Sequence, residues 1–190
     1  MTVRAGPMVV MAALGAMLMT TTAQGAETRA PGFRGWRFGM SLDEVKQVAD
    51  CGPYAPVAAT GGLECPAFVH EGRKMNISFV FGPAGLAKIQ LWVYEGKEAA
   101  KALDALDWTL RLYRRTHGAL ESSAIPDVDK ADRKALERWA AANDKPTREA
   151  PFKAQLAPKT QKPEAFTFAS YIHQAEHGYF VFAYFQPPRR

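Results

Sequence analysis

One string of residues in this chain has the types and spacing that could bind a metal ion. His173, Glu176 and His177 follow the order H-x-x-E-H, which in zinc proteases lies on a helix so that both histidines face one metal. Here the string ends at Gly178, between two β-rich runs, so the sequence predicts a polar hairpin turn. The last 13 residues contain no Asp, Glu or His as a further ligand. A metal-assisted hydrolase using His173 and His177 is therefore only an alternative hypothesis.

The two cysteines, Cys51 and Cys65, are the other residues with defined chemistry. An isolated pair in an oxidising compartment is typical of a disulfide, which adds about 3 kcal/mol in the chain-entropy model. Two reduced, buried thiols are the alternative. The sequence contains no Gly-x-Ser-x-Gly elbow, no dinucleotide fingerprint and no phosphate-binding loop. We therefore predict a protein that is not an enzyme and that uses no cofactor.

The first 26 residues have the composition of a signal peptide. Arg4 is their only charge, an apolar run extends from Ala5 to Met19, and small and polar residues follow as far as Ala26. The run is shorter than the ~20 apolar residues of a spanning helix, and neither a twin-arginine pair nor a lipid-anchor cysteine accompanies it. The sequence predicts export by the general secretory route, cleavage of residues 1–26 and a periplasmic or secreted protein without a transmembrane segment. A retained membrane anchor is the alternative.

Composition and charge narrow the range of partners. The chain has 190 residues, of which 47% are hydrophobic and 23% charged, and its formal net charge is +5. This balance is typical of one globular domain, and for an exported protein so modest a basic excess argues against a nucleic-acid partner. The densest basic cluster contains Arg111, Arg114 and Arg115, at the end of a predicted helix where cations suit the helix dipole. An anionic partner at this cluster is the alternative interpretation.

Hydrophobic periodicity predicts an α+β fold for a single domain over residues 27–190. Ser41 and Glu44 have the spacing of a capping box, which opens the first helix. The predicted helices cover 42–50, 97–117 and 129–142; the predicted hairpins cover 54–70 and 74–94, with two C-terminal strands within 166–185. The prolines between residues 143 and 164 favour a long surface loop. We expect an antiparallel sheet that packs on the helix over 97–117.

The alternating pattern over residues 86–94 predicts which side chains reach a partner. Because Ile89, Leu91 and Val93 suit the core, the side chains between them should lie on the opposite face of the sheet. Aromatic residues dominate binding hot spots in protein interfaces. The predicted partner-binding residues are Trp92, Tyr94, Ser78 and Gln90. In the alternative, the Pro-rich loop or the polar helix covers this face.

Residues 38–45, which read F-G-M-S-L-D-E-V, resemble the start of a recurrent exported module. With Cys51, Cys65 and the strands that follow, the likeness covers about residues 33–94 and is to the SmpA/OmlA (BamE-like) and β-lactamase-inhibitor-protein group. The resemblance implies a non-enzymatic helix-and-sheet module that binds other proteins. The chain departs from the group because it has no lipid-anchor cysteine and no second copy of the module, and because it adds a long helix, a Pro-rich loop and C-terminal strands.

These observations together predict an exported, non-catalytic protein-binding module of the bacterial envelope. Its expected partner is an envelope or extracellular protein. A carrier of a small ligand or lipid, bound between helix and sheet, is a further alternative.

Overall fold

The computed structural model describes residues 31–161 and 166–187. The predicted signal peptide over residues 1–26 lies outside the described residues, as does part of the predicted loop, residues 162–164. The described chain is an α+β protein in which an eight-stranded antiparallel sheet dominates and three helices accompany it. None of the helices in these two ranges combines the length and the apolar character needed to cross a membrane.

The strands are β1 Ala55–Val57, β2 Gly62–His70, β3 Arg73–Gly82, β4 Gly85–Gly96, β5 Leu120–Ser122, β6 Phe152–Pro158, β7 Phe166–Gln174 and β8 Gly178–Gln186. They follow the order β1-β2-β3-β4-β8-β7-β6-β5 across the sheet. The helices are α1 Leu42–Lys46, α2 Ala99–His117 and α3 Arg133–Asn143. The predicted hairpins and the C-terminal strand pair therefore correspond to β1–β2, β3–β4 and β7–β8.

The core forms where the apolar stripe of α2 meets one face of the sheet. Leu106 and Leu110 of α2 are fully buried, as are Ile89 and Leu91 of β4. Both groups belong to one cluster, which also includes buried residues of α1 and α3. This packing follows from the helical spacing of apolar residues in α2 and their alternation in the strands. We call this side of the sheet the helix face and the opposite side the open face.

The helix ends differ from the predicted ones for local reasons. Helix α1 ends at Lys46 rather than at residue 50, because the chain tightens into turns in which the Val48 N–H donates to the Val45 carbonyl. Helix α3 begins at Arg133 rather than at residue 129. Asp132 is its cap and accepts the Ala135 N–H at 2.7 Å, whereas Asp129 accepts the Leu120 N–H. Helix α2 ends at His117 as predicted and begins two residues after residue 97.

The prediction of a continuous loop over residues 143–164 is wrong for β6. Phe152–Pro158 pairs with β7 on one side and with β5, which the sequence did not predict, on the other. Ala154 and Leu156 are buried while Lys153 and Gln155 are exposed, which is the alternation of a strand with one covered face. The many prolines nearby hid this short pattern in the sequence.

Candidate functional site

The open face carries a band of aromatic side chains across its central strands. Trp92 of β4 pairs across the sheet with Phe182 of β8, and Phe168 of β7 pairs with Tyr184 of β8. The ring centroids are 5.5 Å apart for Trp92 and Phe182, 4.7 Å for Phe182 and Tyr184, and 4.6 Å for Phe168 and Tyr184. None of these four residues belongs to the cluster that the helices cover. Within the described residues, the band is therefore an aromatic surface that no helix covers.

Three of the four predicted partner-binding residues lie together on the open face. The Trp92 indole N–H donates to the Ser78 hydroxyl at 3.1 Å, and both side chains are partly exposed. Gln90 precedes Trp92 by two residues on β4 and lies opposite Ser78 on one side and Tyr184 on the other. It is only 7% exposed, because the larger side chains around it shield it. Sequence alternation therefore placed Trp92, Ser78 and Gln90 on one face correctly.

The prediction that Tyr94 shares this face is wrong. Trp92 pairs with Phe182, but Tyr94 pairs with Val181, the adjacent residue of β8, so β4 contains one extra residue at this point. Such a bulge reverses the face of every later side chain in the strand. Val181 is a buried residue of the helix face, and Tyr94 packs against the same cluster. The Tyr94 hydroxyl accepts the Glu98 N–H at 3.0 Å, beside the start of α2.

A shallow groove of about 250 Å³ crosses the open face from β4 to β6. Its lining residues are Lys88, Lys153, Gln155, Phe168, Ser170, Ile172, Phe182, Tyr184 and Gln186. The Lys88 ammonium lies 5.1 Å from the centre of the Tyr184 ring, a cation–π distance. Burial raises the pKa of Tyr184 to about 12, so its hydroxyl stays neutral near neutral pH. The groove thus presents rings, amides and two cations.

A second cluster, which sequence analysis missed, joins the end of α3 to the sheet. The Asp144 carboxylate is 7% exposed, lies 2.8 Å from His173 Nδ1 and accepts the Tyr171 hydroxyl at 2.6 Å. The His173 ring stacks on Tyr179 with centroids 3.9 Å apart. Burial and the neighbouring carboxylate hold the pKa of Tyr171 well above its usual range. The i,i+2 spacing of Tyr171 and His173 put them on one face, but no local pattern indicated that Asp144 would reach them.

The H-x-x-E-H string forms a hairpin, as its flanking residues predicted. β7 ends at Gln174 and β8 begins at Gly178, so His177 lies in an exposed turn and Glu176 pairs with Arg148 at 3.2 Å. A strand followed by a turn cannot bring two histidines to one metal as a helix does. In the ranges that the structure describes, no three His, Cys, Asp or Glu side chains are placed to hold a metal ion.

The other candidate residues are engaged within the fold. Cys51 and Cys65 lie at disulfide distance, with Cα atoms 6.3 Å apart, which agrees with the predicted pair. Of the basic cluster on α2, Arg111 pairs with Asp107 at 3.0 Å and Arg115 with Glu71 at 2.8 Å. Arg114 donates to the carbonyls of Val128 and Ala131. These contacts make an internal role the better explanation of the cluster.

We expect Asp144→Ala to lower the free energy of unfolding by about 2 kcal/mol. The change leaves the Tyr171 hydroxyl and His173 Nδ1 without their acceptor in a largely buried place. A buried polar group without a hydrogen-bond partner typically lowers the free energy of unfolding by about 1–3 kcal/mol. Asp144→Asn keeps one carbonyl acceptor and should lose about half as much. Urea unfolding followed by circular dichroism measures both values. Glu95→Ala, at an exposed position on β4, is the control; an equal loss in the control would contradict the assigned role.

Models of protein families, curated proteins and solved structures offer no match to this chain. The fold and the site therefore have to define the class by themselves. That class is an α+β protein whose antiparallel sheet is covered by helices on one face and carries an aromatic band on the other.

Proposed function

We propose that this protein is an exported, non-catalytic binding module of the bacterial envelope that recognises a protein partner through its open face. The observation that carries the proposal is the band formed by Trp92, Phe182, Tyr184 and Phe168, which no helix of the described chain covers. Trp92, Tyr184 and Phe168 are partly exposed, and such aromatic side chains gain free energy when a partner removes them from water. Tryptophan and tyrosine are also the residues most enriched in binding hot spots. The cysteine pair at disulfide distance supports the exported part of the proposal.

The position of the band in the sheet suits recognition. β4, β8 and β7 each have a hydrogen-bonded strand on both sides, so their side chains project from a rigid backbone. The Trp92–Ser78 hydrogen bond further fixes the indole ring. A surface that is ordered before binding loses little conformational entropy when the partner arrives. The rings, amides and ammonium groups of the groove can contact a ligand directly, which suits binding rather than proton transfer.

The test begins with affinity capture of a partner. The full chain is expressed with a C-terminal tag, purified and used as the bait. A captured partner is identified, purified and titrated against the wild type and two variants, Trp92→Ala and Phe182→Ala. We expect each variant to weaken binding by about tenfold or more, as loss of a hot-spot aromatic does. Circular dichroism confirms that the variants fold.

Trp108→Ala is the matched control, because Trp108 is also a partly exposed tryptophan but lies on α2 and packs against the core cluster. It should leave the affinity close to that of the wild type. If Trp108→Ala weakens binding as much as Trp92→Ala, or if Trp92→Ala and Phe182→Ala have no effect, the open face is not the recognition surface.

A further inference from the structure

The proposed function leaves the chemistry of the partner open, and the groove restricts it. We propose, resting on that function, that the groove receives an extended segment of the partner protein with an acidic side chain near each end and apolar side chains between them. The acidic groups face Lys88 and Lys153, and the apolar groups lie on the rings of Phe182 and Tyr184. Charge, spacing and the chemistry of the groove floor each support this assignment.

The charge of the groove has one sign. Its lining includes two lysines and no carboxylate. Neither lysine forms an ion pair with any residue that the structure describes, in contrast to Lys46, Lys101 and Lys159. A carboxylate, that of Glu121, lines the separate hollow that begins beyond Gln155 and Phe168. A partner with carboxylates therefore meets complementary charge in the groove, whereas a basic partner is repelled.

The two lysines stand at opposite ends of the groove. Lys88 adjoins Ile89, which pairs with Phe185 of β8, whereas Lys153 pairs with Ile172, which pairs with Phe180 of β8. Lys88 itself is therefore level with Gln186, six residues or about 20 Å along β8 from the level of Lys153, and β4 and β6 are three strand spacings apart, or about 14 Å. A ligand that reaches both ammonium groups must therefore be long. About six extended residues span the roughly 20 Å that this requires, with the lysine side chains reaching inwards.

The floor between the lysines suits a peptide. Phe182 is 6% exposed and Ser170 is 4% exposed, so neighbouring side chains already hold them in place. The rings of Phe182 and Tyr184 offer apolar contact to alternate side chains of an extended segment. The side-chain amides of Gln155 and Gln186 carry both donors and acceptors, which match the N–H and C=O groups of a peptide backbone. This combination favours a protein segment over a lone anion.

The test uses two immobilised libraries of capped hexapeptides. The first has Asp or Glu at both ends and Val, Leu, Phe, Ser or Thr between, and the second replaces the ends with Asn or Gln. We expect the purified protein to bind the best acidic peptides about fivefold or more tightly than their amide counterparts, with the difference falling at high salt. In Lys88→Gln/Lys153→Gln the difference should vanish while binding of the amide peptides persists. Lys134→Gln, an exposed lysine on α3, is the control and should keep the difference.

Trp92→Ala separates failure of this inference from failure of the proposed function. If acidic and amide peptides bind equally and Trp92→Ala weakens both, the acidic chemistry is wrong and the recognition face stands. If the acidic preference survives Lys88→Gln/Lys153→Gln, the assignment to these lysines is overturned. If neither library binds the wild type, the extended segment is excluded, and titration of the captured partner against Trp92→Ala still decides the proposed function.

Discussion

We expect the protein to lose stability steeply above pH 10, because two buried tyrosines cannot ionise within the folded chain. Tyr113 is 2% exposed; its hydroxyl donates to the Phe168 carbonyl at 3.1 Å and lies 2.9 Å from the Thr167 hydroxyl. Tyr171 is fully buried and donates to Asp144. Burial raises the pKa of both groups, and the carboxylate of Asp144 raises the pKa of Tyr171 further.

The sign of the pH dependence follows from the protons that each state binds. In the unfolded chain both tyrosines ionise near their ordinary pKa of 10.0, whereas in the folded chain they keep their protons well above that pH. The contribution to stability is therefore complete below pH 10 and is lost as the pH rises towards the raised folded values. Each of the two tyrosines lowers the free energy of unfolding by about 1.4 kcal/mol per pH unit, so the pair contributes about 2.7 kcal/mol per pH unit. Tyr184, whose pKa burial raises to about 12, adds to this slope.

Urea unfolding at a series of pH values between about 8 and 11.5 measures this slope. Absorbance at about 295 nm, near the tyrosinate maximum, reports the ionisation of the tyrosines. Tyr113→Phe removes one of these groups and should reduce the slope by about 1.4 kcal/mol per pH unit, although it lowers the stability at neutral pH. A free energy of unfolding that is constant up to pH 11 (about one unit above the unfolded pKa) would show that the tyrosines ionise in the folded state. An unchanged slope in Tyr113→Phe would assign the effect to other groups.

The parts of the fold that the sequence predicted well are those that depend on neighbouring residues. The apolar stripe of α2, the capping box at Ser41 and the alternation in β3 and β4 are all properties of short windows. The start of α3 shows the limit of such windows, because Asp129 and Asp132 are both good caps. Only the tertiary structure decides between them, since Asp129 is engaged by the Leu120 N–H and by Lys159.

The errors at the candidate site have a common physical origin in contacts between distant strands. The bulge that turns Tyr94 to the helix face is a matter of register between β4 and β8, more than 80 residues apart in sequence. The groove on the open face also includes residues of β6 and β7. Only the order of the strands in the sheet brings these residues near β4. The Asp144–His173 contact likewise joins α3 to β7. Alternation within one strand predicted Trp92 correctly and could not predict Phe182 or Tyr184 as its neighbours.

The aromatic residues of the open face also stabilise the sheet. Each inner strand is paired on both sides, so the side chains of neighbouring strands contact one another, and cross-strand aromatic pairs are stabilising. The same contacts that hold Phe182 between Trp92 and Tyr184 also create a continuous apolar surface. Sheet stability and partner recognition therefore draw on the same residues. For this reason, the binding tests above require a folding measurement for each variant.

The largest effect of a single substitution is expected at Trp36, which is fully buried where the N-terminal segment meets the sheet. Its ring centroid is 4.9 Å from that of Phe79 and 5.6 Å from that of Phe68, and its indole N–H donates to the Tyr54 hydroxyl at 3.2 Å. The segment contains the isolated bridge between Phe33 and Trp36, and its backbone hydrogen-bonds to Leu86 of β4 through Gly39 and Met40. Burial of the Trp36 ring adds to these contacts. Trp36→Ala should lower the free energy of unfolding by about 4 kcal/mol.

Trp36→Phe distinguishes the loss of volume from the loss of the hydrogen bond. It retains an aromatic ring against Phe79 and removes the donor to Tyr54, whose hydroxyl still donates to the Val48 carbonyl at 3.0 Å. We expect a loss of about 1–2 kcal/mol, well below that of the alanine variant. Urea unfolding followed by circular dichroism measures both. If Trp36→Ala lies within about 1 kcal/mol of the wild type, the N-terminal segment does not depend on this ring, and the sheet folds without the aromatic cluster that now joins them.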